Sequence, residues 1–308
     1  MSKLREGDEI ARLITFLFAA SVVLVTVLLV YELWTTSVLP RHKFGLHFFV
    51  TDVWDPVTDE FGALPFIYGT LVTSALALLI AIPLGIGASI FLAELAPARI
   101  SDTLQFFIDL LAAVPSVIYG LLGVFIVVPM MRTVIYPALN KPLGFLPIFK
   151  GPSYGVGLLT AGIVLAIMVI PYIISVSREV LLSVPRDQRE AALALGSTRW
   201  ESTWKVVVPY AKTGIMGSIF LALARALGET MAVTMVIGNT PKVAASLFAP
   251  GYSIAAVIAN EFTEATGDLY LQALIELGLV LFLLTFILNG LARLMIVLTT
   301  QKGSGVSR

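Results

Sequence analysis

The sequence contains no cysteine, which excludes disulfides and thiolate metal sites. Histidine is nearly absent as well. His42 and His47 are the only two, five apart and without a third ligand at a metal-binding spacing, so no metal site is expected. Charge is scarce and balanced: 13% of residues are charged, with 20 basic side chains against 20 acidic ones. Soluble domains carry about 25% charged residues, so a soluble protein is a poor reading. A net charge of zero also lacks the basic footprint of a nucleic-acid binder. No lysine follows a glycine, which removes the Gly-Lys phosphate loop of an ATP-hydrolysing subunit. A membrane enzyme ranks last among the function classes, since neither a His-Glu-x-x-His motif nor a cysteine nucleophile is present.

What the sequence has in quantity is hydrophobic length. Hydrophobic residues make up 58% of the chain. A helix needs about 20 apolar residues to cross a bilayer core. Six such runs fall at roughly 13–34, 67–94, 104–131, 155–178, 213–237 and 272–298. The fold class expected is all-α, a polytopic membrane protein with six transmembrane helices. The first run is too long for a signal peptide and no small-residue cleavage site follows it, so it reads as a retained helix ending at Trp34 in the interfacial aromatic belt. With the N-terminus inside, twelve Lys and Arg fall on the cytoplasmic side, including Lys3, Arg5, Arg12, Arg99, Lys302 and Arg308. Six fall opposite: Arg41, Lys43, Arg132, Lys141, Lys150 and Lys242. This bias favours cytoplasmic N- and C-termini.

Between the spans, residues 36–66 set Phe44, Phe48, Phe49, Trp54 and Phe61 beside Asp52, Asp55, Asp59 and Glu60. That mixture reads as an external amphipathic element lying on the membrane surface. Residues 132–152, with Pro137, Pro142, Gly144, Pro147, Gly151 and Pro152, read as an external loop. Pro115 reads as a kink within the third helix. Residues 239–271, with Glu261, Glu264 and Asp268, read as external or partly re-entrant helices.

The most informative polar stretch is 183–212. Arg186, Arg189, Arg199, Lys205 and Lys212, with Arg178 just before it, mark it as cytoplasmic. Pro185 suits the first turn of a helix, Gly196 suits a helix stop, and Thr198 with Glu201 spells a capping box. Two short helices with a bend are therefore expected. Ala191, Ala192, Ala194 and Gly196 give them a slim surface that can enter a groove.

The second informative feature is charged. Arg225 and Glu229 lie inside the fifth apolar run, where a guanidinium costs at least about 2.5–3.5 kcal/mol to insert. A spacing of four puts them on one helix face, together with Ala222, Ala226 and Val233. One reading is a buried structural salt bridge. The other is an anion site in which Arg225 meets phosphate or carboxylate oxygens and Glu229 holds Arg225 and tempers its attraction, because a permeation site must release what it binds.

Glu190-Ala191-Ala192, then Gly196, then Val206-x-Val208-Pro209 resembles the EAA loop of ABC importer permeases, with Val206 and Val208 in place of Ile and Leu. Tyr68–Ser74, Val114–Gly120, Trp54-Asp55, Ala259-Asn260-Glu261 and above all Arg225-Ala-Leu-Gly-Glu-Thr-Met-Ala-Val233 resemble the phosphate-specific permeases of the PstC type, over roughly residues 44 to 298. The resemblance implies a type I ABC importer permease fold: an N-terminal transmembrane helix at 1–35, an external segment at 36–66, a permease core at 67–298 with its coupling loop at 183–212, and a cytoplasmic tail at 299–308. It implies a bacterial inner-membrane location and a heterodimer with a sister permease of PstA type. It further implies two PstB-type ATPases holding ATP and magnesium, a PstS-type phosphate-binding protein outside, and no cofactor in this chain. Arg225, Glu229 and Thr230 would line the substrate pathway, and Glu190, Ala191, Ala192, Gly196 and Pro209 would couple to the ATPase. A permease for another oxyanion, such as sulfate, molybdate or phosphonate, is the nearest alternative. A secondary transporter or channel is the next class, and the EAA loop argues against it.

Overall fold

The computed structural model describes residues 2–152 and 154–301, with side chains between residues 9 and 294. Lys302 and Arg308, counted above on the cytoplasmic side, lie outside the described residues. Among the described residues, six helical stretches are long and apolar enough to cross a membrane: Glu9–Thr36, Leu64–Leu95, Ser116–Leu143, Leu158–Leu182, Arg199–Leu227 and Asp268–Leu294.

Helix α1 (Ser2–Thr36) leaves most of its apolar side chains exposed, as a lipid-facing helix would. Next come α2 (Val38–Phe44) and a short antiparallel hairpin, β1 (Trp54–Asp55) with β2 (Glu60–Phe61), in which Trp54 faces Phe61. The aromatic residues expected to lie on a membrane surface do not do so. Phe48, Trp54 and Phe61 are buried with Phe66, Tyr252 and Tyr270 in a core of their own. Their rings pack edge-on or stacked, Trp54 at 4.9 Å from Phe61 and Phe61 at 5.3 Å from Tyr270. Residues 239–253 run without regular structure into α13 (Ile254–Glu261), whose first half is buried. One carboxylate ties the parts together. Glu261 Oε2 accepts from Trp54 Nε1 at 2.8 Å and from the Tyr270 hydroxyl at 2.7 Å, joining the hairpin to α13 and to α14 (Asp268–Gln301). Burial pushes the Tyr252 phenol up to about 12, and its hydroxyl oxygen accepts from the Asn260 side-chain amide at 3.0 Å.

Helix α3 (Leu64–Ile90) continues through Pro83 and finishes in a π-turn at Phe91–Leu95. It lies along α8 (Leu158–Leu182), the most enclosed span, through Ala77, Ala81, Ala161, Leu165 and Val169. Between them comes the third hydrophobic stretch, which is not one kinked helix. Helix α4 (Ala98–Ala112) ends, Pro115 takes an extended conformation, and α5 (Ser116–Leu122) begins anew. Residues 132–152 are not simply a loop either. From α5 the chain stays helical through α6 (Val128–Met130) and α7 (Tyr136–Leu143).

Pro129 and Pro137 do not stop this helix because the turn before each of them is widened. Val128 N–H bonds to Gly123 O and Tyr136 N–H to Met131 O, each five residues back, directly before Pro129 and Pro137. A π-turn moves aside the carbonyl that the pyrrolidine ring would otherwise strike. The same device recurs after residue 183. Helices α9 (Arg186–Ala194) and α10 (Arg199–Ser202) form as expected, with the Thr198–Glu201 capping box in place. Val208 N–H then reaches back to Thr203 O just before Pro209. As a result, α10 runs on into α11 (Val208–Leu227) as a single rod. The fifth span is thus longer than expected at its start and broken at its end, where Gly228-Glu229-Thr230 separates α11 from α12 (Met231–Ile237).

Candidate functional site

Arg225 sits in the last turn of α11, and its neighbours come from α8. The two helices run antiparallel: Gly214 packs on Val180, and the Ser177 and Ser218 hydroxyls share a hydrogen bond of 2.7 Å. This register brings Arg225 to Tyr172, with the guanidinium carbon 4.7 Å from the ring centroid. Tyr172 lies ten residues before the end of α8 at Leu182, about 15 Å along the axis. That places the charge deep within the hydrophobic span. Its Nε is shielded from solvent and has no hydrogen-bond partner among the described residues.

Glu229 is not that partner, which corrects the expectation of a shared helix face. Because α11 stops at Leu227, Glu229 belongs to the break, and no ion pair joins it to Arg225 among the described residues. Its Oε1 instead accepts from Ala232 N–H at 3.1 Å, capping the start of α12. Thr230 lies beside it, its hydroxyl 3.4 Å from Gly228 O. Non-helical backbone at this depth must be enclosed by protein or line a polar cavity.

Two broken helices meet here. A Cβ on Gly120 would come within 2.5 Å of Met235 Sδ and 3.2 Å of Ala232 Cα, and one on Gly123 within 2.7 Å of Val236. This close packing runs α5 and α12 in the same direction. The break before Ser116 and the break before Met231 consequently stand side by side. The Tyr119 hydroxyl crosses back over its own break to Leu111 O at 2.7 Å.

The second candidate site is the elbow between α8 and α11. Gly196 holds φ at +88°, with nothing within 4 Å of a Cβ placed there, so the backbone alone requires glycine. Glu190, Ala191, Ala194 and Gly196 are exposed, as are Leu193, Leu195, Trp200 and Trp204. Pro209 is exposed on the first turn of α11. Ala192 differs: it is turned into the chain and buried, so the expected slim surface lacks it. Arg178, just before the loop, lies in α8 as its place in the fourth apolar run implies. It is buried there, donating to Ser101 Oγ at 3.0 and 3.2 Å.

Sequence reasoning missed the latch of this elbow. Arg189 Nη2 donates to Glu94 Oε1 at 2.7 Å and Nε to Glu94 Oε2 at 3.3 Å. The same guanidinium also donates to the backbone carbonyls of Leu181 and Val184. Glu94 lies in the π-turn that ends α3, so α9 is clamped to the tips of both α3 and α8. The two residues are 95 apart in sequence, and no local spacing announces the pair.

The stretch Gly151-Pro152-Ser153-Tyr154-Gly155 spells a Gly-x-Ser-x-Gly pattern, with Ser153 outside the described residues. A 3₁₀ turn, Pro147–Phe149, precedes it where a nucleophile elbow needs a strand.

Residues 85–296 match the family model of the binding-protein-dependent transport system inner membrane component. Similar curated proteins include the phosphate transport system permease protein PstC of Mesorhizobium japonicum, 48% identical over 90% of this chain and 87% of that one. The protein of the same name from Pasteurella multocida is 51% identical over 84% of this chain and 82% of its own length.

The chain belongs to this inner-membrane permease family, in its PstC branch.

The permease also resembles solved ABC importers in fold. A chain of the MetNI methionine ABC transporter, in an inward-facing conformation, aligns with a TM-score of 0.57 at 15% identity, over 79% of this chain and 98% of that one. A chain of a bacterial ABC transporter involved in import of the acidic polysaccharide alginate aligns with a TM-score of 0.53 at 18% identity, over 89% and 96%. At these identities the likeness concerns the fold alone.

Proposed function

We propose that this permease forms, with a sister permease of PstA type, the membrane pathway of an ATP-driven inorganic phosphate importer. The observation that carries the reading is Arg225. Its guanidinium is deep in the span, beside two helix breaks, with a sealed nitrogen that nothing in the described chain satisfies. Phosphate oxygens match such a fork, and the kinship with PstC permeases names the same anion. Tyr172 spreads the charge over a ring face without supplying a competing carboxylate, so an arriving anion has no ion pair to break.

In this reading the N- and C-termini and the elbow face the cytoplasm, and ATP and magnesium are held by two PstB-type ATPases rather than by this chain. Those ATPases dock on the exposed face around Glu190, Ala191, Leu195 and Trp200. Closure of the ATPase pair pushes the elbow, and two rigid paths carry the push inward. The Arg189–Glu94 latch moves α3, while the α10–α11 rod moves Arg225 and the break beyond it. A PstS-type binding protein delivers phosphate at the opposite end. Rigid-body movement of packed helices is the ordinary way such a push is converted into a change of access.

The test is uptake of labelled phosphate into proteoliposomes bearing the four-component complex. Arg225→Gln is expected to abolish uptake while the complex still assembles. Undiminished uptake would remove Arg225 from the pathway. Competition by sulfate and molybdate stronger than by unlabelled phosphate would move the substrate to another oxyanion.

A further inference from the structure

Far from the elbow, the end of α1, the α2 segment and α14 enclose a cavity of about 580 Å³. It lies at the hairpin end of α3, whereas the elbow is latched to the other end of that helix. Its walls are almost wholly apolar, formed by residues such as Val30, Leu46, Leu279, Leu283 and Phe286. Two charged side chains break the apolar lining. Glu276 on α14 is 3% exposed, and its Oε2 has no hydrogen-bond partner among the described residues. Arg41 stacks 3.8 Å from the centroid of Trp34 and donates to the Ser37 and Trp34 carbonyls, while its Nη1 is buried without a partner. No ion pair joins Arg41 to Glu276 among the described residues.

An apolar chamber holding a guanidinium with one unpartnered nitrogen and a carboxyl group with one unpartnered oxygen calls for a ligand with a hydrocarbon body and both charges. Buried charges are costly until they are paired. The chamber opens between α1 and α14, whose apolar side chains around it, among them Leu283 and Phe286, are exposed on this chain. We infer that this cavity binds a phospholipid bearing a phosphoethanolamine headgroup. An acyl chain lies along Leu279, Leu283 and Phe286, the phosphate meets Arg41, and the primary ammonium donates to Glu276. A phosphoglycerol lipid would satisfy Arg41 but set no cation against Glu276. A phosphocholine lipid carries the charge but has no N–H to donate. The bound lipid would pin α1 to α14 at the end of the bundle that holds the hairpin.

The experiment uses the assembled transporter in nanodiscs of equimolar phosphatidylethanolamine, phosphatidylglycerol and phosphatidylcholine. Retained lipid is read by native mass spectrometry after release from the disc. The parent complex is expected to keep phosphatidylethanolamine in preference to the other two. Glu276→Gln should cut that preference about tenfold, the loss of one charge-assisted contact. Arg41→Gln should lower retention of all phospholipids. Leu283→Trp leaves both charges in place and narrows the acyl-chain path, so it should weaken lipid retention in a complex that still transports. Retention of the three lipids in equal amounts by the parent would overturn the inference. So would a preference that survives both Glu276→Gln and Leu283→Trp.

Discussion

The guanidinium carbon of Arg225 stands 4.7 Å from the ring centroid of Tyr172, and no carboxylate shares it among the described residues. The Arg225 charge is therefore held by an aromatic face. A cation–π contact of this kind is worth ~0.5–2 kcal/mol depending on desolvation. Tyr172→Phe keeps the ring and should transport at near-parent rates. Tyr172→Leu loses the contact and should raise the apparent KM for phosphate about threefold to thirtyfold. Saturation curves in proteoliposomes decide it, and equal KM values for the Phe and Leu variants would deny the ring any part.

Glu229 serves α12 through its bond to Ala232 N–H. Glu229→Ala should lower thermal stability by about 1 kcal/mol, the usual cost of a lost cap. Glu229→Gln keeps an acceptor and should lose less. Because Arg225 and Glu229 make no ion pair, a double-mutant cycle on stability should give a coupling under about 0.5 kcal/mol. A larger coupling would mean that the two charges meet after all.

The Arg189–Glu94 pair predicts a coupling defect. Glu94 is 9% and Arg189 21% exposed at the side chain, and removing one partner of a buried pair costs about 3–5 kcal/mol. Glu94→Gln or Arg189→Ala should leave the basal ATPase of the complex in place and abolish its stimulation by loaded binding protein. Exchange of the charges, Glu94→Arg with Arg189→Glu, should recover part of that stimulation. Full stimulation in the single variants would show that the elbow works without its latch.

Much of this architecture was legible in the chain. Four of the six apolar runs each lie along one long helix and the third and fifth are broken, while Thr198, Glu201 and Gly196 shaped the elbow as their local chemistry dictates. The breaks were harder to see. Pro115 inside an apolar run fits a kink as well as a stop, and only the tertiary packing of α5 on α12 favours the stop. Conversely, Pro137 was read as part of an external loop, but a π-turn before it lets the helix pass, and the same device carries the chain through Pro209. The cap by Glu229 was hidden for the same reason: four-residue spacing implies a shared face only while the helix lasts. Trp54 and Glu261 meet across 207 residues, and Arg189 and Glu94 across 95, distances at which no periodicity carries a signal.

In the proposed function, a lone guanidinium at the paired helix breaks receives the transported anion. The most direct test of this role is phosphate uptake by the assembled complex carrying Arg225→Gln, measured beside Arg225→Lys and with assembly checked by co-purification. No uptake is expected for the glutamine variant, and weak, raised-KM uptake for the lysine variant, which keeps a charge but not a two-pronged donor. Parent-level uptake by the glutamine variant would contradict that role.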